Sequence, residues 1–122
     1  GRPTEEEKQL YAMLQKVQVA TIREVRAGRN TSEIDAFCRT SLGPALDKQF
    51  IHGLGHGVGT QVHEWPSVTR AGNAILKEGM VITIEPGVYK KNAYGIRIED
   101  DVLVTKHGCE VLTKSLKKLI VL

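Results

Sequence analysis

Side chains that could bind a metal ion are concentrated in two parts of this sequence. Three of the four histidines lie in a glycine-rich stretch over residues 50–66, and they are His52, His56 and His63. Two glutamates follow, Glu85 in Ile-Glu-Pro-Gly and Glu99 in Ile-Arg-Ile-Glu-Asp-Asp. Glycine weakens a strand unless another group must come close to the backbone. Histidines placed between glycines therefore indicate a site rather than a core.

Two carboxylates on neighbouring strands, with one imidazole nearby, form a mixed oxygen and nitrogen donor set. Each carboxylate is costly to bury alone, and a divalent cation offsets that cost. One histidine with two carboxylates leaves coordination positions open to water and substrate, which is typical of catalytic metal sites. With little sulfur available, the set suits Mn, Co, Fe or Zn better than Cu(I) or a cluster. Such a metal lowers the pKa of a bound water and polarises a substrate carbonyl.

Taken singly, these residues have ordinary structural explanations. A strand glutamate near an arginine, such as Glu99 near Arg97, is usually a surface ion pair that contributes less than ~1 kcal/mol. An isolated histidine is usually a satisfied polar residue. The three histidines, their glycine setting and the two glutamates together favour a site. A phosphate-binding loop is rejected, because no Gly-Lys-Ser/Thr follows the glycines.

The elements that must position these residues begin with two helices. Thr4 and the glutamates after it form a capping box, and apolar residues at three- and four-residue steps predict a helix over residues 5–27. Ser32 and Asp35 suggest a second capping box, which predicts a helix over residues 32–42. Residues 45–49 are predicted to be an irregular link or one helical turn.

From residue 50 the apolar period changes to two, which predicts strands. The predicted strands cover residues 53–57, 60–64, 80–85, 96–105 and 109–113. Residues 66–78 are predicted to be a loop, and residues 89–94 a polar turn. The order predicts an α+β fold, with the two N-terminal helices packed on one face of an antiparallel sheet. The other face is expected to carry Glu85, Arg97, Glu99 and some of the histidines.

Composition narrows the class of protein. A chain of 122 residues is long enough for one domain, and 41% hydrophobic with 25% charged residues is ordinary for a soluble globular protein. No apolar run approaches the ~18–20 residues that span a bilayer, and the first residues do not form a signal peptide. Cys38 and Cys109 are expected to be reduced and buried, in a cytoplasmic protein. The short basic cluster over residues 114–118 favours a solvated surface over a nucleic-acid site.

Four motifs occur in a fixed order, at residues 52–59, 62–66, 78–89 and 95–105. Together they resemble the pita-bread metallopeptidases, and within them the aminopeptidase P and prolidase (Xaa-Pro dipeptidase) branch. Methionine aminopeptidases share the His-Gly and Glu-Pro blocks. The forms Glu-Pro-Gly-Val-Tyr and Gly-Ile-Arg-Ile-Glu-Asp-Asp favour the Xaa-Pro branch. The resemblance covers residues 1–113.

The resemblance implies a metal-ligand set. His56 matches a metal-binding histidine, Glu85 matches the terminal glutamate ligand, and Glu99 matches the glutamate that bridges two metals. Mn is the expected metal, with Co or Zn as alternatives.

The resemblance also implies catalytic roles. His52 and His63 match histidines that flank the metals and contact substrate or the tetrahedral intermediate, and Arg97 matches the arginine beside the bridging glutamate. The implied reaction is hydrolysis of the bond before proline, in peptides with proline at the second position, by a metal-bound hydroxide. Glu85 would shuttle a proton, and the histidines would stabilise the oxyanion.

The sequence departs from the family at its beginning. The family's first two metal ligands are aspartates that precede these motifs, and no residue before Gly1 supplies them. Asp35 and Asp47 do not match. We therefore expect the C-terminal half of a pita-bread catalytic domain, which binds at most one metal and is inactive or weakly active alone. A lone half should expose strand edges and apolar surface, which predicts a homo-oligomer or a complex with a first-half chain.

Two other functions remain as alternatives. One is a non-catalytic pita-bread module that binds peptides or proteins; the other is creatinase-like hydrolysis without a metal. Loss of the histidine and glutamate ligands would be expected in either case. This sequence retains every ligand that its half should carry, which favours the peptidase.

Overall fold

A computed structural model describes all residues, 1–122, and its first element is the predicted helix. Helix α1 is Glu5–Ile22. The hydroxyl of Thr4 accepts from the Glu7 N–H at 3.2 Å, and the Glu7 carboxylate accepts from the Thr4 N–H at 2.6 Å. The predicted capping box is thus confirmed. The Thr4 N–H and hydroxyl both donate to the Glu7 carboxylate, and these hydrogen bonds lower the pKa of that carboxyl because they favour its charged form.

The prediction that the first helix continues to residue 27 is wrong. After Ile22 the backbone turns, and the N–H groups of Ala27 and Gly28 donate to carbonyls of Thr105 and Leu76. These long-range bonds replace the helical pattern, and Gly28 has a positive φ of 88° that favours glycine.

Helix α2 is Thr31–Leu42, and a one-turn helix α3 follows at Pro44–Asp47. The capping residue of α2 is Asn30, whose side-chain oxygen accepts from the Ser32 N–H at 2.9 Å. The predicted capping box of Ser32 and Asp35 is therefore wrong. Asp35 is fully buried and instead pairs with Arg39, one turn later, at 2.7 Å.

Seven strands form two antiparallel sheets. They are β1 Gly55–Gly57, β2 Glu64–Val68, β3 Val81–Ile84, β4 Gly87–Lys90, β5 Tyr94–Arg97, β6 Asp100–Val104 and β7 Cys109–Val111. The larger sheet has the strand order β2-β1-β3-β6-β7, and β4 and β5 form a separate two-stranded sheet.

Three strand predictions need correction. Most of residues 60–64 form a bend, and β2 occupies the beginning of the segment predicted as a loop over 66–78. The strand predicted over 96–105 is divided, since β5 pairs with β4 whereas β6 pairs with β3. The polar turn predicted over 89–94 contains only residues 91–93, because Tyr89 and Lys90 belong to β4.

The core lies between the helices and one face of the larger sheet. Leu14 of α1 and Ile34 of α2 are fully buried in the same cluster as Ile82 and Ile84 of β3 and Val102 of β6. Burial of each large aliphatic side chain contributes about 1.5–3 kcal/mol. The predicted α+β fold with helices on an antiparallel sheet is confirmed. None of the helices has the length and apolar character needed to cross a membrane.

Both cysteines are free thiols, and they differ in exposure. Cys38 is fully buried, and burial raises the pKa of its thiol to about 11. Cys109 is only partly buried, so the expectation that both are buried is wrong for this residue. Its Sγ donates to the carbonyl of Ile22 at 3.3 Å.

Candidate metal and catalytic site

The glycines around His56 allow β1 to lie close to both neighbouring strands. A Cβ at Gly55 would collide with the carbonyl oxygen of Thr83 in β3, and a Cβ at Gly57 would collide with the carbonyl oxygen of Trp65 in β2. Any side chain at either position would push the strands apart. The glycines therefore allow the backbones of neighbouring strands to come close together, as the sequence pattern indicated.

His56 and Glu85 lie side by side at the end of β3. The Nε2 atom of His56 is 3.2 Å from Oε1 of Glu85. The hydroxyl of Thr83 connects the two residues, because it accepts from the His56 N–H at 3.0 Å and donates to Glu85 Oε1 at 2.8 Å. Glu85 is only 9% exposed, so its carboxylate is held on a largely dry surface.

A hydrogen bond to the backbone determines which ring nitrogen of His56 carries the proton and which one presents a lone pair to Glu85. Nδ1 lies 2.9 Å from the carbonyl oxygen of Gly57, which can only accept, so Nδ1 carries the proton. In the neutral ring, Nε2 is then an acceptor that points at a carboxylate oxygen. Two acceptors at 3.2 Å need a proton or a cation between them. This pair therefore fits a divalent metal ligated by Nε2 and Oε1.

Arg97 lies between the two carboxylates that the sequence analysis assigned to the metal. Its Nε atom is 3.8 Å from Glu85 Oε2 and 4.0 Å from Glu99 Oε2. The side chains of Arg97 and Glu99 are 51% and 44% exposed, so each ion pair contributes less than ~1 kcal/mol. No three side chains of His, Cys, Asp or Glu gather closely enough to hold a metal together. Glu99 thus stands apart from the pair of His56 and Glu85.

His63 lies beside His56 on the outer side of the site. Their ring centroids are 4.4 Å apart, and the rings are tilted by 49°. His63 is exposed and belongs to the bend that precedes β2. Its imidazole is therefore open to solvent and to any molecule bound next to His56.

His52 lies next to the hairpin of β4 and β5. Its Nδ1 is 2.7 Å from the carbonyl oxygen of Gly53, and its Nε2 is 2.9 Å from the hydroxyl of Tyr89. Nδ1 must carry the proton, so Nε2 accepts from Tyr89. A Cβ added at Gly87 would lie 2.8 Å from His52 Nε2. The imidazole of His52 therefore lies beside Gly87, which follows Glu85 by two residues.

A charged network on α2 supports the segment that carries His52. Arg39 donates to the carbonyl oxygens of Phe50 at 2.9 Å and His52 at 2.6 Å. Its partner Asp35 accepts from the Leu54 N–H at 3.2 Å. In the sequence analysis Arg39 was missed and Asp35 was assigned to a capping box, since a spacing of four residues on a helix is equally typical of a surface pair.

Two further residues at the site were also missed. Tyr89 stands within a recognised motif, but the sequence does not say that its hydroxyl reaches His52. Thr83 shares a strand face with Glu85, so the period of two could have identified it as a neighbour of the site.

Comparison with known proteins identifies the family to which the chain is similar. A model of metallopeptidase family M24 matches residues 1–106. The chain is 41% identical over 121 residues to the Xaa-Pro dipeptidase of Pyrococcus horikoshii, with 98% of this chain and 34% of that protein covered. The chain spans about a third of the length of the curated relatives it matches.

Solved structures give the same result for the fold. The Xaa-Pro dipeptidase from Bacillus anthracis superimposes with a TM-score of 0.95 at 37% identity, over 100% of this chain and 35% of that chain. The X-Pro aminopeptidase from Thermotoga maritima gives a TM-score of 0.91 at 34% identity, over 97% and 34% of the two chains. These similarities confirm the predicted pita-bread fold class.

Proposed function

Because the chain belongs to metallopeptidase family M24, we propose that it forms the C-terminal part of the active site of a metal-dependent Xaa-Pro peptidase. The complete enzyme would hydrolyse the bond before proline in peptides with proline at the second position. Relatives named Xaa-Pro dipeptidase and X-Pro aminopeptidase support this substrate class. The chain spans about a third of such relatives, so the activity is assigned to the complete enzyme.

The pair of His56 and Glu85 carries the proposal. Their facing acceptor atoms at 3.2 Å require a proton or a cation, and the Thr83 hydroxyl holds both residues in that arrangement. Glu99 would complete the ligand set after its exposed side chain rotates away from Arg97. Arg97 would then remain beside the bound carboxylates and balance their charge.

A bound divalent metal, Mn in our proposal with Co or Zn as alternatives, would activate water and polarise the substrate carbonyl. The chain's own residues would do the rest. Glu85 would move a proton between water and the leaving amine, since only one of its oxygens is engaged by Thr83. His63 is exposed beside His56 and would donate to the developing oxyanion.

His52 would contribute differently from His63. Both of its ring nitrogens have partners, the carbonyl oxygen of Gly53 and the hydroxyl of Tyr89. We propose that His52 contacts substrate through Nε2, and that Nε2 can accept a hydrogen bond from substrate only when the Tyr89 hydroxyl moves away. The resemblance of motif 52–59 to the prolidase branch supports this role.

We also propose that this chain alone binds at most one metal, and binds it weakly. All three proposed ligands serve one metal position. The other position would share only Glu99, because the aspartates expected for it precede the matched motifs in the family. The chain alone would accordingly be inactive or weakly active.

Exposed apolar residues at the edge of the sheet support our proposal that the chain associates with a second copy or with a first-half chain. Val62 and Trp65 are 73% and 63% exposed, and Trp65 lies in the edge strand β2.

We also propose a cytoplasmic location for the protein. The two free cysteines support this proposal, because disulfides are rare in that compartment.

Titration of the chain with Mn(II) by calorimetry tests the metal site. We expect one weak site in the wild-type chain and none in His56→Ala or Glu85→Gln. His107→Ala is the matched control, because His107 is exposed and lies outside the motifs, so this variant should bind like wild type. Two tight sites, or unchanged binding in His56→Ala, would contradict the proposal.

Hydrolysis of an Xaa-Pro dipeptide in excess Mn(II) tests the catalytic part of the proposal. We expect little or no turnover by the chain alone. Turnover that disappears in Glu99→Gln would show that three ligands suffice. A wild-type chain that binds proline-containing peptides but no metal would favour the non-catalytic binding module instead.

A further inference from the structure

A buried polar network lies behind the strand ends that carry Glu85 and Glu99. It consists of Gln18 of α1, Asp100 of β6 and Lys117, which follows β7 in the chain. Gln18 is fully buried and Asp100 is 2% exposed. The ammonium group of Lys117 contacts Oδ1 of Asp100, and Gln18 Nε2 donates to Oδ2 of the same carboxylate at 3.0 Å. A buried carboxylate without such partners is strongly destabilising.

The network touches the backbone next to both glutamates. Gln18 Nε2 also lies 3.3 Å from the carbonyl oxygen of Ile84, the residue before Glu85. Asp100 follows Glu99 directly, and it pairs with Ile84 in the register of β3 and β6. The Lys117 ammonium lies 3.5 Å from the carbonyl oxygen of Glu99 itself.

The orientation of this network is fixed by the chemistry of its members. The amide of Gln18 faces two acceptors, Ile84 O and Asp100 Oδ2, so its nitrogen must point toward the sheet. Its Oε1 atom is buried without a partner, which makes the amide a costly group to keep there. The amide is therefore held there by the two hydrogen bonds of Nε2, one of which is to the carboxylate that Lys117 also contacts.

The backbone of Lys117 is also bound to α1. Its backbone carbonyl accepts from the hydroxyl of Tyr11 at 3.0 Å and from Nε2 of Gln15 at 2.9 Å. Both donors belong to α1. The segment around Lys117 thus connects α1 to the beginning of β6, and its two contacts with α1 each span more than 100 residues of sequence.

We propose that Lys117 is a positioning residue for the pair of Glu85 and Glu99. By neutralising Asp100, it fixes the beginning of β6 against the end of β3, and so fixes the separation of the two glutamates. The inference rests on the proposed function only where these glutamates are treated as metal ligands. The contacts by which Lys117 would fix the separation of Glu85 and Glu99 are present in the metal-free chain.

The test compares Lys117→Met with Lys118→Met, since Lys118 is exposed and has no ion-pair partner. The first measurement is the carboxyl ¹³C NMR signals of Glu85 and Glu99 in the metal-free chain. We expect both signals to shift in Lys117→Met, to stay at wild type in Lys118→Met, and to return toward wild type in Lys117→Arg. The second measurement is Mn(II) affinity, which should fall about 10- to 100-fold in Lys117→Met.

Val104→Ala provides a control for loss of stability alone. Val104 is buried at the other end of β6, so this variant should lower the unfolding temperature while leaving the two signals and the Mn(II) affinity unchanged. Equal shifts in Val104→Ala and Lys117→Met, or no shift in Lys117→Met, would overturn the inference. A wild-type chain that fails to bind Mn(II), with shifted signals in Lys117→Met, would overturn the proposed ligand set and leave the inference standing.

Discussion

At the scale of single residues, the site depends on one hydroxyl group. Thr83 is 2% exposed, and its Oγ1 is the shared partner of the His56 N–H and the Glu85 carboxylate. This hydroxyl holds together His56, which lies in β1, and Glu85, which directly follows β3. Such partners around metal ligands fix the ligand atoms before the metal arrives.

Replacing Thr83 tests that role. Thr83→Val should destabilise the chain by about 1–3 kcal/mol, because the His56 N–H loses its acceptor and Glu85 loses a donor. It should also weaken Mn(II) binding about tenfold or more. Denaturant unfolding and calorimetry measure the two effects. Thr83→Ser keeps the hydroxyl and should retain Mn(II) affinity; equal affinities in all three proteins would count against the role.

A second residue-scale prediction concerns the glycines. Gly55→Ala should destabilise by about 1–3 kcal/mol or more, because the added methyl meets the Thr83 backbone rather than a movable side chain. Gly108→Ala is the control, since its Cβ would meet only Thr105 Oγ1 at 4.0 Å. Chemical denaturation compares the two. A Gly55→Ala chain as stable as Gly108→Ala would show that β1 and β3 can separate without cost.

At the scale of elements, ion pairs join α2, α3 and the turn after β2. Asp47 of α3 accepts from Arg70 at 2.6 and 2.7 Å and from Arg39 at 3.0 Å. The hydrogen bonds from Arg70, followed by those from Arg39, lower the pKa of the Asp47 carboxyl. Arg39 also holds the carbonyl oxygen of His52, so this cluster connects the helices to the candidate site.

The lowered pKa of Asp47 predicts how stability depends on pH. Since the folded pKa lies below the ordinary value of about 3.9, the stabilisation is complete above that value and is lost as pH falls through the folded pKa. Asp47→Asn should therefore lower the unfolding temperature at neutral pH, with a difference that disappears on acidification. Glu110→Gln, a change at an exposed carboxylate without an ion-pair partner, should show no such difference. Thermal unfolding from about pH 7 to pH 2 distinguishes them, and a constant gap for Asp47→Asn would contradict this account.

At the scale of the whole molecule, the chain presents an edge strand with an exposed tryptophan. β2 ends the larger sheet on one side, and Trp65 within it is 63% exposed. An unpaired strand edge next to apolar side chains is a template for association. The relatives that the chain matches are about three times as long.

Association is measurable for the chain alone. Sedimentation at increasing concentration should show a dimer or larger species, and Trp65→Ser should weaken self-association several-fold by removing apolar contact area. Leu116→Ser is the matched control, because Leu116 is 79% exposed and lies outside β2. A well-folded monomer at high concentration would contradict the prediction of a homo-oligomer. Binding to a separately produced first-half chain would then be the remaining arrangement to measure.

The sequence by itself determined the features that depend on near neighbours. The capping box at Thr4 and the α+β order follow from residues a few positions apart, whose spacing sets local conformation. The glycine pattern also identified where strands approach closely. The ends of the elements were harder to predict from the sequence. The first helix ends early because the N–H groups of Ala27 and Gly28 donate to the carbonyl oxygens of residues 105 and 76, which are distant in sequence.

Only the tertiary structure decided how those side chains meet. Arg97 reaches Glu85 as well as its neighbour Glu99, the Tyr89 hydroxyl donates to Nε2 of His52, and the Lys117 ammonium contacts Asp100. Each of these contacts joins strands or segments whose pairing is set by burial of a shared core. The physical reason is that packing chooses among many possible long-range partners, whereas local spacing limits only the conformation of each segment.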